Sequence, residues 1–184
     1  MLIRVGFEIK YEAVAATPMV IMMRIHPSRA RDIVGEETII TEPDVRIRYY
    51  HDSFGNICGR LTAPPGGITF KLDCLVRDTG MEDAIVPEAQ QMPIEQLPDE
   101  VLLYLMASRY CETDRLTDFA WQQFGNTQPG WARVQAINAW VHNHVKFGYE
   151  HARPTKSAFD VYTEKQGVCR DFAHLALTLC RCMN

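Results

Sequence analysis

The first part of the chain alternates between apolar and polar side chains with a period of two, the pattern of half-buried β-strands. Every second residue from Ile3 to Tyr11 is apolar, for example, and Arg4, Gly6, Glu8 and Lys10 lie between them. Strands of this kind are predicted over residues 2–12, 19–25, 45–50, 57–62 and 68–76. Because the third and fourth are separated by the turn sequence 52–56, they predict a hairpin. Roughly the first 80 residues therefore form an all-β, sandwich-like unit.

The rest of the chain changes from irregular sequence to a helical pattern. Residues 81–97 show little periodicity and contain Pro87 and Pro93, so we interpret them as a linker. From residue 98 onward the apolar period is about 3.6, which indicates amphipathic helices. Four helices are predicted, with their first turns near Pro98, Asp114, Pro129 and Gly167. The sequence thus predicts an α+β protein with a β domain at 1–80, a linker at 81–97 and helices at 98–184.

Two of these helices carry specific expectations. Asp114 is expected to cap the second helix, which ends at Gly125. The third helix is expected to bury one stripe that contains Val134, Ile137 and Val141.

The charge distribution argues against two classes of partner. The chain has 19 Lys and Arg against 23 Asp and Glu, with no basic run. We therefore expect neither a nucleic acid nor an anionic membrane as a partner.

Arg4, Glu8 and Lys10 interrupt any secretory signal and no apolar stretch could span a bilayer, so we expect a cytoplasmic protein. The 6 cysteines are scattered, which favours reduced thiols.

No pattern of metal ligands stands out. Cys180 and Cys182 are two positions apart, which on a helix points their sulfurs about 200° apart. His142 and His144 flank Asn143 in an arrangement superficially like a nuclease signature, but no second ligand cluster accompanies them. We expect no metal and no cofactor, and we interpret both histidines as surface or stripe-edge residues.

The segment with the clearest chemical content is Gln-Gly-Val-Cys-Arg-Asp-Phe-Ala-His, residues 166–174. A glycine turn delivers Cys169 to the first turn of an apolar helix. Unpaired N–H groups and a partial positive charge at a helix N-terminus stabilise a thiolate, the nucleophilic form of cysteine. The same N–H groups can stabilise the oxyanion that forms when sulfur attacks a carbonyl. The alternative is that Cys169 is a small buried residue at a helix start.

This segment resembles closely the nucleophile segment of the transglutaminase-like superfamily. The upstream sequence agrees, because Trp140-Val141 and residues 145–149 look like the helix and short extended stretch that precede the nucleophile, and residues 157–161 look like the connector. The N-terminal β unit resembles that of bacterial members assigned as cysteine proteases. The resemblance implies that the helices form the helical half of a papain-like, transglutaminase-like core. It also implies that Cys169 is the nucleophile of a Cys, His, Asp triad.

Four neighbours of the nucleophile are assigned supporting parts. Gln166 can lend its side-chain amide to an oxyanion hole, as such groups do in papain-like sites. Gly167 forms the turn, and Arg170 either helps to hold a thiolate or is simply solvated. Asp171 lies in the first helical turn and is expected to interact with the exposed N–H groups there.

No histidine of the sequence is predicted to act as the base for Cys169. His174 lies five positions later and points about 140° away on a helix. Nothing in the sequence brings His26, His51 or His151 to the cysteine. In the superfamily the triad His precedes an Ala-Trp pair and the Asp lies farther on, both in strands after the cysteine helix. We therefore expect the chain to be the truncated front of such an enzyme.

The function implied by the resemblance is that of a thiol-dependent hydrolase or acyl transferase. It would act on an amide bond of a peptide or protein through a Cys169 thioester, with hydrolysis favoured over cross-linking. The alternative is a non-catalytic transglutaminase-like module for protein–protein interaction or assembly. Because a core cut after the cysteine helix leaves apolar surface exposed, we expect a nearly inactive chain that forms homo-oligomers.

Overall fold

The computed structural model describes all 184 residues and divides into two compact units, Met1–Asp83 and Ala84–Asn184. The first unit contains the long strands, and the second contains the α-helices. The structure therefore has the predicted α+β class, with strands first and helices later. No helix is long and apolar enough to cross a membrane.

The first unit consists of two antiparallel sheets. Its strands are β1 (Leu2–Tyr11), β2 (Thr17–Ile21), β3 (Ile33–Val34), β4 (Ile40–Glu42), β5 (Arg48–His51), β6 (Ile57–Ala63) and β7 (Ile68–Arg77). In one sheet β7 pairs with β1 along its whole length and with β3 and β4 on the other side. In the second sheet β6 lies between β2 and β5, so the predicted hairpin is present as β5 and β6.

Side chains from both sheets share one core, which makes the unit sandwich-like. Alternate residues of β7 from Ile68 to Val76 are buried, and Phe70 is fully enclosed. Ile21 of β2 and Leu61 of β6 pack into the same cluster. The period-two pattern of β7 thus corresponds to the burial of one face of the strand.

Two predicted strands differ from the observed ones. The apolar face of β1 is only partly covered, since Ile3 and Val5 remain 39% and 37% exposed on an edge strand. The second strand ends at Ile21 and not at Ile25. Its pairing with β6 stops there, and the Ile25 N–H donates to the carboxylate of Glu37 instead of to a strand.

The second unit is built from four α-helices and a two-stranded ladder. The helices are α1 (Thr113–Phe124), α2 (Trp131–His144), α3 (Ala158–Glu164) and α4 (Cys169–Cys182). The strands β8 (Lys146–Phe147) and β9 (Gln166–Gly167) pair in parallel. Short 3-10 helices cover Pro27–Asp32 in the first unit and Ile94–Gln96, Asp99–Leu105 and Tyr149–His151 in the second.

Helix α4 is the central element of this unit and contacts α1, α2 and α3. Its residues Leu175 and Leu179 are fully buried. They pack in one cluster with Leu116 of α1, Ile137 of α2 and Val161 of α3. Because interiors are close-packed, α4 cannot shift without disturbing every other helix of the unit.

Three details of the predicted helices are corrected. The helix expected from Pro98 is a 3-10 helix with no buried residue, so it lacks the packed face that stabilises an α-helix. Glu112, not Asp114, is the N-cap of α1. In α2, Val134 is 45% exposed, whereas Arg133 is buried because it hydrogen-bonds to the loop before the helix.

Residues 84–97, which the sequence assigns to the linker, group with the second unit. The Trp131 N–H donates to the Ala89 carbonyl at 2.9 Å. The Gln91 side chain donates to the Met183 carbonyl at 3.1 Å. This segment is therefore tied to the start of α2 and to the residue that follows α4.

The central position of α4 gives a stability prediction. We expect Leu175→Ala to lower the free energy of unfolding by about 2–5 kcal/mol, because it leaves a cavity in the helical core. Leu177→Ala on the same helix is the matched control, since Leu177 is 49% exposed, and it should cost less than about 1 kcal/mol. Urea unfolding followed by the helical circular dichroism signal measures both. Equal losses would contradict the central packing of α4.

Candidate active site

Cys169 is the first residue of α4, and its side chain is exposed. The preceding residue, Val168, has an extended backbone with φ −108° and ψ 176°, so the chain turns there from β9 into the helix. The ladder of β8 and β9 places Phe147 opposite Gly167. The thiol therefore lies where a strand meets a helix, and both elements are fixed by neighbours.

A buried carboxylate holds this turn. The Val168 N–H donates to Asp171 Oδ2 at 3.0 Å, and the Asp171 side chain is fully buried. Its Oδ1 accepts a hydrogen bond from Arg170 Nη2, also at 3.0 Å. A Cβ atom at Gly167 would lie only 2.7 Å from the Cβ of Asp171, so glycine is required there for space.

A buried lysine anchors the strand before the turn. The Lys156 side chain has no exposed surface, and its Nζ donates to the Gln166 carbonyl at 3.0 Å. The same Nζ lies 3.1 Å from Glu164 Oε2, and Arg153 pairs with the other oxygen of that carboxylate at 2.6 Å. Hydrogen bonds from Arg153 and then from Lys156 lower the pKa of Glu164 to about 2. This ion-pair group fixes the backbone three residues before Cys169.

An open pocket of about 500 Å³ lies at the thiol. It is lined by His142, Val145, Phe147, Cys169 and Phe172. The rings of Phe147 and Phe172 are 6.4 Å apart between centroids and form much of the wall. Apart from the imidazole and the thiol, the lining is apolar. Such a wall suits the apolar part of a substrate next to the reacting group.

Of the predicted site residues, Cys169 alone lines this pocket. Gln166 contributes its backbone carbonyl to the lysine contact, and its side chain is not part of the pocket wall. Arg170 donates to Asp171 and, at 2.7 Å, to the Arg153 carbonyl, so its guanidinium is engaged away from the thiol. These neighbours position the turn and do not line the cavity.

His142 is the pocket residue that the sequence analysis missed. It is exposed, as expected for a surface histidine, but it also lines the same pocket as Cys169. The sequence feature that connects His142 with Cys169 is the short stretch after α2. There Lys146 and Phe147 form β8 and pair with the strand that precedes the cysteine. Strands of two residues have no readable period, so the sequence alone does not bring the two side chains together.

The other two histidines of α2 and α4 are held elsewhere. His144 stacks on Trp140 at 4.1 Å, and its Nε2 lies 2.9 Å from the Tyr162 carbonyl. His174 stacks on Tyr110 at 5.3 Å and does not line the pocket, as its helical angle predicts. Burial lowers the pKa of His174. Neither imidazole is placed to exchange a proton with the thiol.

Cys169 differs from the other thiols in exposure. All six cysteines are free; Cys58, Cys74, Cys111 and Cys182 are buried, and Cys180 is partly buried. Burial raises the pKa of the Cys74, Cys180 and Cys182 thiols. A reagent in solution therefore meets Cys169 first. No group of three or more His, Cys, Asp or Glu side chains is placed to hold a metal ion.

The ion-pair group at Glu164 gives a pH prediction. The folded pKa of Glu164, about 2, is below its ordinary value of 4.5, so this carboxylate stabilises the fold above pH 4.5. That stability is lost as the pH falls from 4.5 to 2. The Glu164 side chain is 31% exposed, so solvent screening limits the effect to about 1 kcal/mol.

We therefore expect Glu164→Gln to lower the free energy of unfolding at pH 6 but much less at pH 2. Urea unfolding at the two pH values measures this difference. Glu100→Gln, in the exposed 3-10 helix, is the control and should change neither value. An equal loss at both pH values would show that the carboxylate charge is not what stabilises this turn.

Comparison with known proteins agrees with this geometry. Residues 117–184, which include the cysteine turn and all of α4, match the transglutaminase-like superfamily. A crystal structure from Cytophaga hutchinsonii, described as a "putative cysteine protease", is similar with a TM-score of 0.80 and 26% sequence identity. The match covers 99% of this chain and 66% of that chain, so the present chain spans about two thirds of its length. No curated protein matches the chain. The matched residues lie in the helical unit and are similar to the transglutaminase-like superfamily, and the fold of the chain is similar to that of the crystal structure.

Proposed function

We propose that Cys169 is the nucleophile of a thiol-dependent hydrolase or acyl transferase that acts on amide bonds of peptides or proteins. One observation carries this proposal: an exposed thiol begins a 14-residue helix and lines a mostly apolar pocket. The superfamily and the similarity to a protein described as a protease support the same chemistry.

The first turn of α4 supplies groups that such a reaction needs. The Asp171 N–H already donates to the Val168 carbonyl, and the Val168 N–H donates to the Asp171 carboxylate. The N–H groups of Cys169 and Arg170 have no acceptor within the chain. They are therefore free to stabilise an oxyanion beside the sulfur. We assign the oxyanion hole to these two backbone groups in preference to the Gln166 side chain.

The reaction proceeds in two stages. The thiolate forms a bond to the carbonyl carbon, and the carbonyl π electrons move to oxygen. When the oxyanion collapses, the carbon–nitrogen bond breaks and the amine leaves with the proton that the Cys169 thiol gave up. The acyl group stays on Cys169 as a thioester. Water then attacks the thioester and releases a carboxylic acid, or an amine attacks it and forms a new amide.

We favour hydrolysis over cross-linking, because the similar crystal structure is described as a protease. The pocket indicates which part of the substrate lies next to the thiol. Val145, Phe147 and Phe172 form its wall, and no carboxylate, ammonium or guanidinium group lines it. We therefore propose an acyl donor with an apolar side chain near the scissile bond.

The proposal predicts a loss of thiol-dependent turnover in Cys169→Ala. An activated p-nitrophenyl ester with an apolar acyl group is a suitable substrate, because its leaving group departs without protonation. The assay then reports the thiol and not a general acid. We expect Cys169→Ala to lower the thiol-dependent rate on the order of 100-fold or more.

Cys180→Ala is the matched control on the same helix, since Cys180 is partly buried and does not line the pocket. It should keep the wild-type rate. Equal rates for wild type and Cys169→Ala would remove Cys169 as the nucleophile. That result would favour the non-catalytic interaction module instead.

A further inference from the structure

We propose that β1 is an interface between two copies of this chain, in which it pairs antiparallel with β1 of a second copy. In the proposed register Gly6 lies opposite Gly6 of the second copy, and Arg4 lies opposite Glu8 of the second copy. The interface belongs to the first unit and does not involve Cys169. It is a different surface from the helical one that the sequence analysis expects to drive association.

β1 is the one long strand of the first unit that has an unpaired side. It has 10 residues and pairs only with β7. The outer strands β3, β4 and β5 have two, three and four residues, and the outer strand β2 contains Pro18. A free strand edge presents unpaired N–H and C=O groups, which can pair with a strand of another chain.

β1 lacks the features that usually block such pairing. Its register with β7 runs from Leu2 opposite Arg77 to Tyr11 opposite Ile68 without a bulge. The strand contains no proline. Bulges, prolines and short length are the means by which proteins protect sheet edges, and the other outer strands have at least one of them. The edge of β1 is therefore open to backbone pairing over about 33 Å.

The apolar row of β1 is incompletely covered within one chain. Ile3, Val5 and Tyr11 are 39%, 37% and 41% exposed, although the corresponding row of β7 is buried. The reason is position, since β7 has neighbours on both sides and β1 has one on a single side. In the proposed register Ile3 lies opposite Ile9 of the second copy, and Val5 lies opposite Phe7 of the second copy. Apolar cross-strand pairs of this kind stabilise a sheet.

The alternation of β1 limits the registers that a symmetric pair can use. Residues directly opposite each other point to the same face of a sheet. A register centred on a residue therefore keeps both apolar rows on one face, whereas a register centred between two residues places them on opposite faces. Continuity of the apolar row thus leaves only registers that are centred on a residue.

The charges on the outer face select one of these registers. Centring on Gly6 places Arg4 opposite Glu8 of the second copy, and symmetry produces this pair twice. Centring on Phe7 places Arg4 opposite Lys10, and centring on Glu8 brings the two Glu8 side chains together. Centring on the residue before Gly6 brings no opposite charges together. Like charges opposite each other destabilise a sheet, so the register centred on Gly6 is favoured.

The interface pair extends a row of charges that each chain already has. Arg4 is paired with Asp73, and Lys71 lies 3.5 Å from Glu8 and 3.0 Å from Glu42. Across the interface the row alternates in sign, from Asp73 and Arg4 of one copy to Glu8, Lys71 and Glu42 of the other. Carboxylate and guanidinium groups each have several hydrogen-bonding positions. The new pair therefore forms without breaking the pairs within each chain.

The test is the dimer dissociation constant of the full chain, measured by sedimentation velocity over a range of protein concentrations. Arg4→Glu makes positions 4 and 8 both acidic, and Glu8→Arg makes both basic, so each variant alone places like charges opposite each other. The side chains of Arg4 and Glu8 are 76% and 68% exposed, so neither change disturbs the core. Lys10→Glu is the matched control. It changes the charge as Arg4→Glu does, on the same strand, but lies opposite Leu2 of the second copy.

We expect wild type to form a dimer that Arg4→Glu and Glu8→Arg each weaken by about 10-fold or more. Lys10→Glu should leave the dissociation constant unchanged. A mixture of Arg4→Glu and Glu8→Arg restores opposite charges at both pairs, so native mass spectrometry should show a dimer with one copy of each variant. A misfolded variant could not form this mixed dimer, so its recovery separates a lost interface from a lost fold.

Four results would overturn the proposal. One is a monomeric wild type. Another is a dimer that neither Arg4→Glu nor Glu8→Arg weakens, which would place association on a different surface. A third is a pair of weakened variants whose mixture forms no mixed dimer, because the charges would then act on the fold and not on pairing. The last is a tighter dimer in Lys10→Glu, which would indicate the register centred on Phe7.

Discussion

The burial of α4 among three other helices is the constraint on which the candidate site depends. Leu175 and Leu179 fix the helix from within the core. Because the helix is fixed, its first turn is held in place as well. The packing of the helix therefore sets the direction in which the Cys169 side chain points. Exposure of the thiol is therefore a result of packing several residues farther along the same helix.

The site separates the groups that hold the cysteine turn from the groups that meet a substrate. Buried charges hold the turn: Asp171 caps α4, and Lys156 binds the strand before it. Charges without solvent must be paired, so these contacts are costly to break and give a rigid turn. The cavity on which Cys169 opens is apolar except for His142. A substrate bound as we propose would contact a thiol, an imidazole and free backbone N–H groups.

The sequence predicted those parts of the fold that have a clear period. The alternation from Ile68 to Val76 became β7, and the helical pattern from residue 114 to 124 became α1 within one residue. The start of α4 was also predicted. A glycine turn before Cys169 and an acidic residue in the first helical turn are local signals of a helix N-terminus. The superfamily was recognised from the same few residues, and the comparisons agree.

Other features depend on partners distant in the sequence and left no local pattern. Arg133 is buried because a loop accepts its hydrogen bonds, so an apolar stripe could not reveal it. Lys156 is buried because Gln166 and Glu164 satisfy its ammonium group. His142 lines the same pocket as Cys169 beside a ladder of two residue pairs, which is too short to predict from sequence.

The central claim is that Cys169 forms a covalent acyl intermediate, and the most direct measurement is the mass of the protein after brief mixing with an activated apolar ester. The account predicts one added acyl group, located on the peptide that contains Cys169 and removed by neutral hydroxylamine, as expected for a thioester. No adduct, or an adduct spread over lysines and the other five cysteines, would contradict it.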